Sequence, residues 1–228
     1  MSPCWYDQCD MEHAELLNLI ANPGGHFPES LLALVQTHAG TCAACPRHAC
    51  ADKIVTGSGP ASARLMVVLG MPTALEDAAG APLVGPEQAI IEYCLKMTGI
   101  GRPDMYITCA VKHFSPLQPS DVEMALCRRW LEAEIAVVKP EVLVCLGALA
   151  AQAVLGETID LPRERGKVFH PGFVPKVLTT VELSSILEQP TEELRRRAHD
   201  EFLLEFHVLA ETLGVFDPWR GREALAQL

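Results

Sequence analysis

Four short apolar segments along the chain are separated by longer segments with helical periodicity. The apolar segments are rich in Val, Ile and Leu and cover residues 65–70, 105–111, 141–147 and 176–182. Continuous apolar runs of this length are typical of strands buried on both faces of a sheet. Strands that alternate with helices favour a parallel sheet with right-handed crossovers and helices on both faces. We therefore predict an α/β fold, a three-layer α/β/α arrangement around a four-stranded parallel sheet.

The helical segments carry recognisable start and stop signals. Ser120 and Glu123 have the spacing of a capping box, and Pro140 ends the pattern that begins there. Further amphipathic patterns cover residues 11–22, 29–40, 86–99 and 191–214. A chain of 228 residues is long enough for one sizeable domain. We predict a helical lead-in at residues 1–40, a main domain at 41–214 and a C-terminal tail at 215–228.

In parallel sheets of this kind, ligands bind just beyond the carboxyl ends of the strands, where the loops converge. Applied to the predicted strands, this rule brings four parts of the chain to one rim of the sheet. They are residues 69–72, residues 109–113, Gly147 and Glu182. The predicted functional site therefore lies at this rim.

Composition and charge narrow the classes of function. There is no apolar run of eighteen residues and no signal-peptide pattern at the start, so we expect a cytoplasmic protein without a membrane span. The net charge of −11 argues against a generic nucleic-acid binder, because phosphate binding depends on Lys and Arg. A local basic patch stays open, although the arginines at 128–129 and 195–197 fit the solvated faces of helices better.

The nine cysteines are an odd number, so metal ligation or burial explains them better than a disulfide framework. Cys42 and Cys45 form a CxxC pair, which can present both sulfurs to one metal. The remaining ligand candidates are His113 and Cys127, with Cys50 and Cys109 in reserve. Cys94 and Cys145 are flanked by apolar residues and are interpreted as small buried hydrophobes. Sulfur-rich sites of this type hold zinc or an iron–sulfur cluster, and ligand type alone does not separate the two.

Five blocks of sequence carry a family resemblance. They read VVLGMPTALEDAAGAPLVGP, GRPDMYITCAVKHF, LCRRWLEAEIAVVKPEVLVCLGALAAQAVLG, ERGKV and LTTVELSSIL. In this order and spacing they resemble the uracil-DNA glycosylase superfamily, in particular its iron–sulfur branch of family-four enzymes and X-type proteins that crosslink to uracil DNA. The resemblance runs from about Cys42 to Leu187 and implies a uracil-DNA glycosylase-like fold.

The resemblance also implies a [4Fe-4S] cluster, which then takes precedence over zinc. The family holds it with a CxxC pair, a residue of the VVKC block and a cysteine that opens the next helix. These positions fall on Cys42, Cys45, His113 and Cys127, and VKHF is the X-type form of the third block. Cys109 lies four residues too early to be the third ligand.

The family's base-pocket residues are replaced at each aligned position. Gly70 stands for the carboxylate of the GE(A/Q)PG motif, and Leu83 for the stacking phenylalanine. Cys109 stands for the asparagine that reads uracil, and Glu182 for the histidine of the HPSSLL block. The basic insert with which X-type proteins attack the sugar is absent between His113 and Cys127. The resemblance therefore implies the fold without ordinary uracil excision, and Glu76 and Asp77 are expected to act as caps or loop anchors.

Two hypotheses on function follow. In the first, the protein engages single-stranded or damaged DNA, as a reader of a modified base or as an enzyme with a changed pocket in which Cys109 and Glu182 face each other as nucleophile and base. The residues proposed to contact nucleic acid are Arg165, Ser184, Ser185 and Leu187. In the second, it is a catalytically inactive pseudo-glycosylase that acts as a protein-interaction or redox module. Its N-terminal Cys4, Trp5 and Cys9 would contribute an apolar patch for a protein partner.

Overall fold

The fold is seen in a computed structural model that describes residues 4–156, 159–172, 174 and 176–215, with side chains from residue 13 onward. Its centre is one sheet in the order β2-β1-β3-β5-β4. The strands are β1 (Leu65–Leu69), β2 (Met105–Cys109), β3 (Val142–Leu146), β4 (Val168–Phe169) and β5 (Lys176–Thr180). All four predicted strands are present and pair in parallel.

The sheet has one strand more than the sequence predicts. Strand β4 is two residues long and pairs antiparallel with β5, at the edge of the sheet. Two residues are too few to show a period in sequence, which is why this strand is missed. The prediction of a four-stranded parallel sheet is therefore corrected to a five-stranded, mostly parallel one.

Helices cover both faces of the sheet, as predicted. They are α1 (Cys4–Ala21), α2 (Pro28–Ala39), α3 (Ala74–Ala79), α4 (Glu87–Thr98), α5 (Asp121–Val138), α6 (Ala148–Leu155), α7 (Leu161–Glu164), α8 (Leu183–Leu187) and α9 (Glu192–Thr212). Short 3-10 helices lie at Pro46–Ala49 and Arg102–Asp104. Among the described residues, none of these helices has the length and apolar content needed to cross a membrane.

Each strand supplies alternate side chains to two hydrophobic cores. Met66 and Val68 of β1 face helices α1, α2, α5 and α6, whereas Leu65 and Val67 face α4, α8 and α9. All four side chains are fully buried, and each contributes about 1.5–3 kcal/mol through burial. The lead-in helices α1 and α2 thus share a core with α5, and α2 packs directly on it.

Local signals position the rim of the sheet. Ser120 and Glu123 form the predicted capping box, so α5 begins where the sequence indicates. Thr73 and Glu76 form a second capping box at α3, directly after β1. Because α3 begins close to the carboxyl end of β1, its first turn and the loop before it form a wall of the predicted site.

Candidate metal centre and neighbouring pocket

The four predicted cluster ligands come together at one end of the first core. Cys42 and Cys45 lie between α2 and the 3-10 helix, His113 follows β2, and Cys127 lies in the second turn of α5. The Cys45 sulfur is 3.9 Å from Nδ1 of His113. The main-chain N–H of Lys112 donates to the Cys127 sulfur at 3.1 Å. The contact between Cys45 and His113 thus joins parts of the chain that are 68 residues apart.

Burial sets the protonation of this group. The exposed fractions of Cys45, His113 and Cys127 are 5%, 2% and 4%. Desolvation raises the pKa of Cys45 and raises that of Cys127 to about 12. Desolvation, with the nearby His48 as a second cause, lowers the pKa of His113 and so favours its neutral ring. Neutral imidazole is the ligating form, and a bound metal would deprotonate the thiols.

The four predicted ligands form a sulfur-rich donor set. Three thiols and one imidazole are soft donors, which select zinc or iron–sulfur. In the part of the chain that the structure describes, no three Cys, His, Asp or Glu side chains approach each other as a single ion requires. Cys42, Cys45, His113 and Cys127 would hold an iron–sulfur cluster, which would tie the segment after α2 to α5 and the sheet.

The other cysteines lie apart from this group. Cys50, a reserve ligand, is exposed and directly follows the 3-10 helix as its C-cap. Cys109, the other reserve ligand, is fully buried at the end of β2, and desolvation followed by the charge of Glu76 raises its pKa. Cys94 and Cys145 are fully buried in the two cores, which confirms their interpretation as hydrophobes.

Sequence reasoning missed four charged residues around the centre. Arg47 is 3% exposed and donates to the main-chain oxygens of His113 and Leu117. Arg129 donates to the Cys42 sulfur at 3.6 Å. Lys112 and Glu134 form a buried ion pair with a separation of 2.6 Å. A signal for Glu134 was present, because it lies seven residues after Cys127 and therefore on the core-facing side of α5.

A small pocket lies beside the centre, at the carboxyl ends of β1 and β3. Its lining includes Gly70, Leu83, Glu182 and Ser184, and its volume is about 70 Å³. Ligand pockets usually measure about 300–1,000 Å³, so this one is much smaller than a usual ligand pocket. A larger apolar cavity of about 750 Å³ lies between α1, α5 and α6. It is remote from the carboxyl ends of the strands, and none of the predicted site residues lines it.

Glu76 and Asp77 hold the pocket wall in place, as expected for loop anchors. The Glu76 carboxylate accepts hydrogen bonds from the main-chain N–H groups of Thr73 and Leu83. Asp77 accepts from the main-chain N–H groups of residues 52 and 53. Leu83 has a φ of +56°, a left-handed conformation that costs a non-glycine residue about 1–2 kcal/mol. The Glu76 contact thus supports a strained backbone at the pocket.

Glu182 replaces the family's histidine with an acid that packs against backbone. Its carboxyl lies beside Gly70 and Gly147, and a Cβ on Gly147 would come within 2.4 Å of Glu182 Cγ. Gly147 also has a φ of +90°. Glycine is therefore required there both by the close approach of Glu182 and by the backbone conformation. Although Glu182 is an exposed residue, desolvation of its carboxyl and the charge of Glu188 raise the pKa of Glu182.

Cys109 and Glu182 are not brought together as a nucleophile and a base. Cys109 is in register with Leu69, Leu69 with Leu146, and Leu146 with Thr180. Three strand spacings therefore separate Cys109 from the residues just before Glu182, or about 14 Å. The Cys109 thiol is also fully buried. The sheet order thus contradicts a direct thiol–carboxylate pair.

The proposed nucleic-acid residues are distributed between surface and interior. Ser184 lines the pocket, and the Ser185 hydroxyl donates to the Glu182 carbonyl oxygen. Leu187 packs against the second core, so it does not project as a wedge. Arg165 is paired with Glu201 and Glu205 of α9. The side chains of Cys4, Trp5 and Cys9 lie outside the described ones.

Comparison with known proteins agrees with this architecture. A family model described as the uracil DNA glycosylase superfamily matches residues 56–206, which include His113 and Cys127. A Type-4 uracil-DNA glycosylase of Thermotoga maritima is 33% identical over 171 residues, covering 74% of this chain and 89% of that protein. The Type-4 uracil-DNA glycosylase of Archaeoglobus fulgidus is 29% identical over 187 residues, covering 78% and 91%. The chain belongs to the uracil DNA glycosylase superfamily.

Proposed function

We propose that this protein is a DNA-repair member of the superfamily that engages DNA, carries a [4Fe-4S] cluster and has lost ordinary uracil excision. The observation that carries the proposal is the state of the pocket at the strand ends. Glu182 lines this pocket with its carboxyl beside Gly70, and the pocket volume is about 70 Å³. The DNA-repair part follows from the family, and the loss of excision follows from the residues of this chain.

The pocket lacks the groups that base excision requires. Enzymes that act on a base flip it, stack it on an aromatic ring and read its edge through hydrogen bonds. Leu83 offers no aromatic face, and Gly70 offers no side chain for orienting water. An ionised Glu182 accepts hydrogen bonds only, so it would repel a carbonyl oxygen that gains charge. A preorganised hydrogen-bond donor at that place stabilises the transition state by about 3 kcal/mol. Glu182 cannot supply this stabilisation when it is ionised.

The cluster is supported by the contact between Cys45 and His113 and by the burial of Cys45, His113 and Cys127. When bound, it would supply a covalent tie between the segment after α2, the loop after β2 and helix α5. Arg47 reinforces the same junction, because it bridges the 3-10 helix to the main chain at His113 and Leu117. Zinc is the alternative occupant of these four ligands.

The test combines binding with excision. Iron-loaded protein is titrated by fluorescence anisotropy at low salt against single-stranded and duplex oligonucleotides, with and without uracil, and the same oligonucleotides are assayed for abasic sites. The Thermotoga maritima relative is the positive control for excision. We expect binding that weakens as salt rises, because phosphate contacts release counterions, and no excision.

Each other outcome rejects a named part of the proposal. Uracil excision at the rate of the relative would reject the loss of activity. Failure to bind any oligonucleotide at low salt would reject the engagement of DNA. In that case the pseudo-glycosylase alternative, a protein-interaction or redox module, becomes the better account of the fold.

A further inference from the structure

The loop that follows β2 is attached to the pocket at the strand ends. The main-chain N–H groups of Ala110 and Val111 donate to the carbonyl oxygens of Leu69 and Gly70, at 2.8 and 3.0 Å. Leu69 and Gly70 both line the pocket. The chain then continues as residues 114–120 to the start of α5. This loop therefore borders the pocket on which the proposed function rests.

Leu117 lies at the bend of this loop, and both polar groups of its main chain are bonded. Its N–H donates to the Ser115 hydroxyl oxygen at 3.3 Å. Its carbonyl oxygen accepts from Nη1 of Arg47 at 3.0 Å. Nη2 of the same guanidinium contacts the Met71 sulfur at 3.4 Å, and Met71 lines the pocket. One buried arginine thus joins the main chain of Leu117 to the pocket wall.

The side chain of Leu117 is 72% exposed, although its main chain is held in place. Pro116 precedes it and Pro119 follows two residues later. Each proline fixes its own φ at about −65°, which restricts the conformations of the loop. An exposed leucine by itself is ordinary on a protein surface. A leucine on a fixed main chain differs, because little conformational entropy is lost when another molecule packs against it.

The composition of the loop favours contact with bases over contact with phosphates. Residues 114–120 read FSPLQPS and contain no Lys, Arg, Asp or Glu. Phosphate binding depends mainly on Lys and Arg. Proteins that distort DNA insert Leu, Phe, Ile, Met or Pro side chains between base steps and partly unstack them. Leu187, which the sequence suggested for this role, packs against the second core, whereas Leu117 is free to enter a base stack.

We propose that Leu117 is a wedge that enters the base stack of duplex DNA beside the pocket at the strand ends. The proposal rests on the engagement of DNA in the proposed function. Insertion opens one base step and forms or breaks no covalent bond. Opening costs least where a base is mismatched or damaged, so the preferred ligand is a duplex that is already weakened at one position.

The test uses a duplex oligonucleotide with 2-aminopurine next to a single mismatch, because the fluorescence of this base rises when it is unstacked. Iron-loaded protein is titrated at low salt, and binding is followed in parallel by anisotropy. L117A removes the wedge, and L117M keeps an apolar side chain of similar size. L204A is the matched control, since Leu204 of α9 is 64% exposed and does not line the pocket.

Wild type, L117M and L204A should bind the duplex and raise the fluorescence. L117A should lose the rise and bind the duplex about tenfold more weakly, as expected for the burial of one apolar side chain. Its binding to a single strand should change less than about twofold, because no paired stack is opened there. Thermal unfolding of L117A should match that of wild type, since the side chain is exposed.

Two kinds of failure can be told apart. Wild-type protein that binds no oligonucleotide at low salt would overturn the engagement of DNA and this inference with it. Wild-type protein that binds the duplex without a rise in fluorescence would overturn the wedge alone. An equal rise with L117A, or loss of the rise in L117M or L204A as well, would also overturn the wedge, because the effect would then not depend on the apolar side chain at position 117.

Discussion

The buried Lys112 ammonium donates to the Glu134 carboxylate at 2.6 Å, and both side chains are at most 2% exposed. Glu134 also accepts hydrogen bonds from Tyr106, Thr108 and the Gly57 main chain. This network joins the loop that carries His113 to the helix that carries Cys127. It is therefore the structural support of two predicted cluster ligands.

Breaking the Lys112–Glu134 ion pair should lower the free energy of unfolding, and replacing Glu134 should lower it more than replacing Lys112. E134Q leaves the Lys112 ammonium with Thr108 as its neutral partner, so we expect a loss of about 3–5 kcal/mol in the free energy of unfolding. K112M should cost less, because three neutral donors remain on Glu134. Urea denaturation measures both. The control E132Q, at an exposed ion pair, should stay within about 0.5 kcal/mol of wild type; equal losses in E134Q and E132Q would contradict the network's role.

Cluster loading should depend on four ligands and no other cysteine. C42S, C45S and C127S should lose iron and sulfide, because each removes a thiolate. H113C should retain both, since a thiolate is the commoner cluster ligand. C50S and C94S serve as controls and should load fully. Iron and sulfide assays on anaerobically purified protein measure this.

Removal of the cluster should also destabilise the protein, because ligand binding to the native state is linked to folding. Thermal unfolding before and after treatment with an iron chelator measures the effect. Stoichiometric zinc without sulfide in the purified protein would instead assign the site to zinc. Full loading of C127S would remove Cys127 from the ligand set.

The residues at positions 70 and 182 should be energetically coupled. G70E places a carboxylate beside Glu182, since a Cβ at Gly70 would lie 3.5 Å from Glu182 Oε1. We expect G70E to destabilise the protein and E182H to rescue it in the double variant, by about 0.5–3 kcal/mol of coupling. Thermal unfolding of the four proteins in this cycle measures the coupling. Additive effects would place the two side chains out of contact.

The stability of the fold should depend on pH through Glu182. Desolvation and Glu188 raise its pKa above the ordinary value of 4.5, so the folded state prefers the protonated form. This contribution is complete below the unfolded-state pKa and is lost as pH rises through the raised value. E182Q should therefore match wild type at about pH 4 and be more stable at about pH 7.

Denaturant titrations at both pH values measure this difference. E188Q removes the second cause of the pKa shift of Glu182. It should also be more stable than wild type at about pH 7, by a smaller amount than E182Q. Parallel pH profiles for wild type and E182Q would show that the carboxyl is solvated in the folded state.

Much of this protein can be deduced from local sequence. The four buried strands can be predicted from their apolar runs, and the start of α5 from its capping box. Both signals are local, because burial and capping involve only a few consecutive residues. The cluster ligands could be assigned through the family blocks. In contrast, strand β4 has only two residues, Val168 and Phe169, and owes its existence to pairing with β5. Its formation therefore could not be deduced from local sequence.

Tertiary structure alone decided which side chains meet. The sequence by itself determined an α/β fold with a rim at the carboxyl ends of the strands, and it suggested the four metal donors that we propose. The sheet order separates Cys109 from Glu182 by three strand spacings. Leu187 packs against the second core, and Arg165 forms ion pairs with residues of α9. The contact of Arg129 with Cys42 likewise depends on how α5 packs on α2. Periodicity fixes which face of an element a residue occupies, whereas long-range packing fixes its neighbours, because those neighbours come from distant parts of the chain.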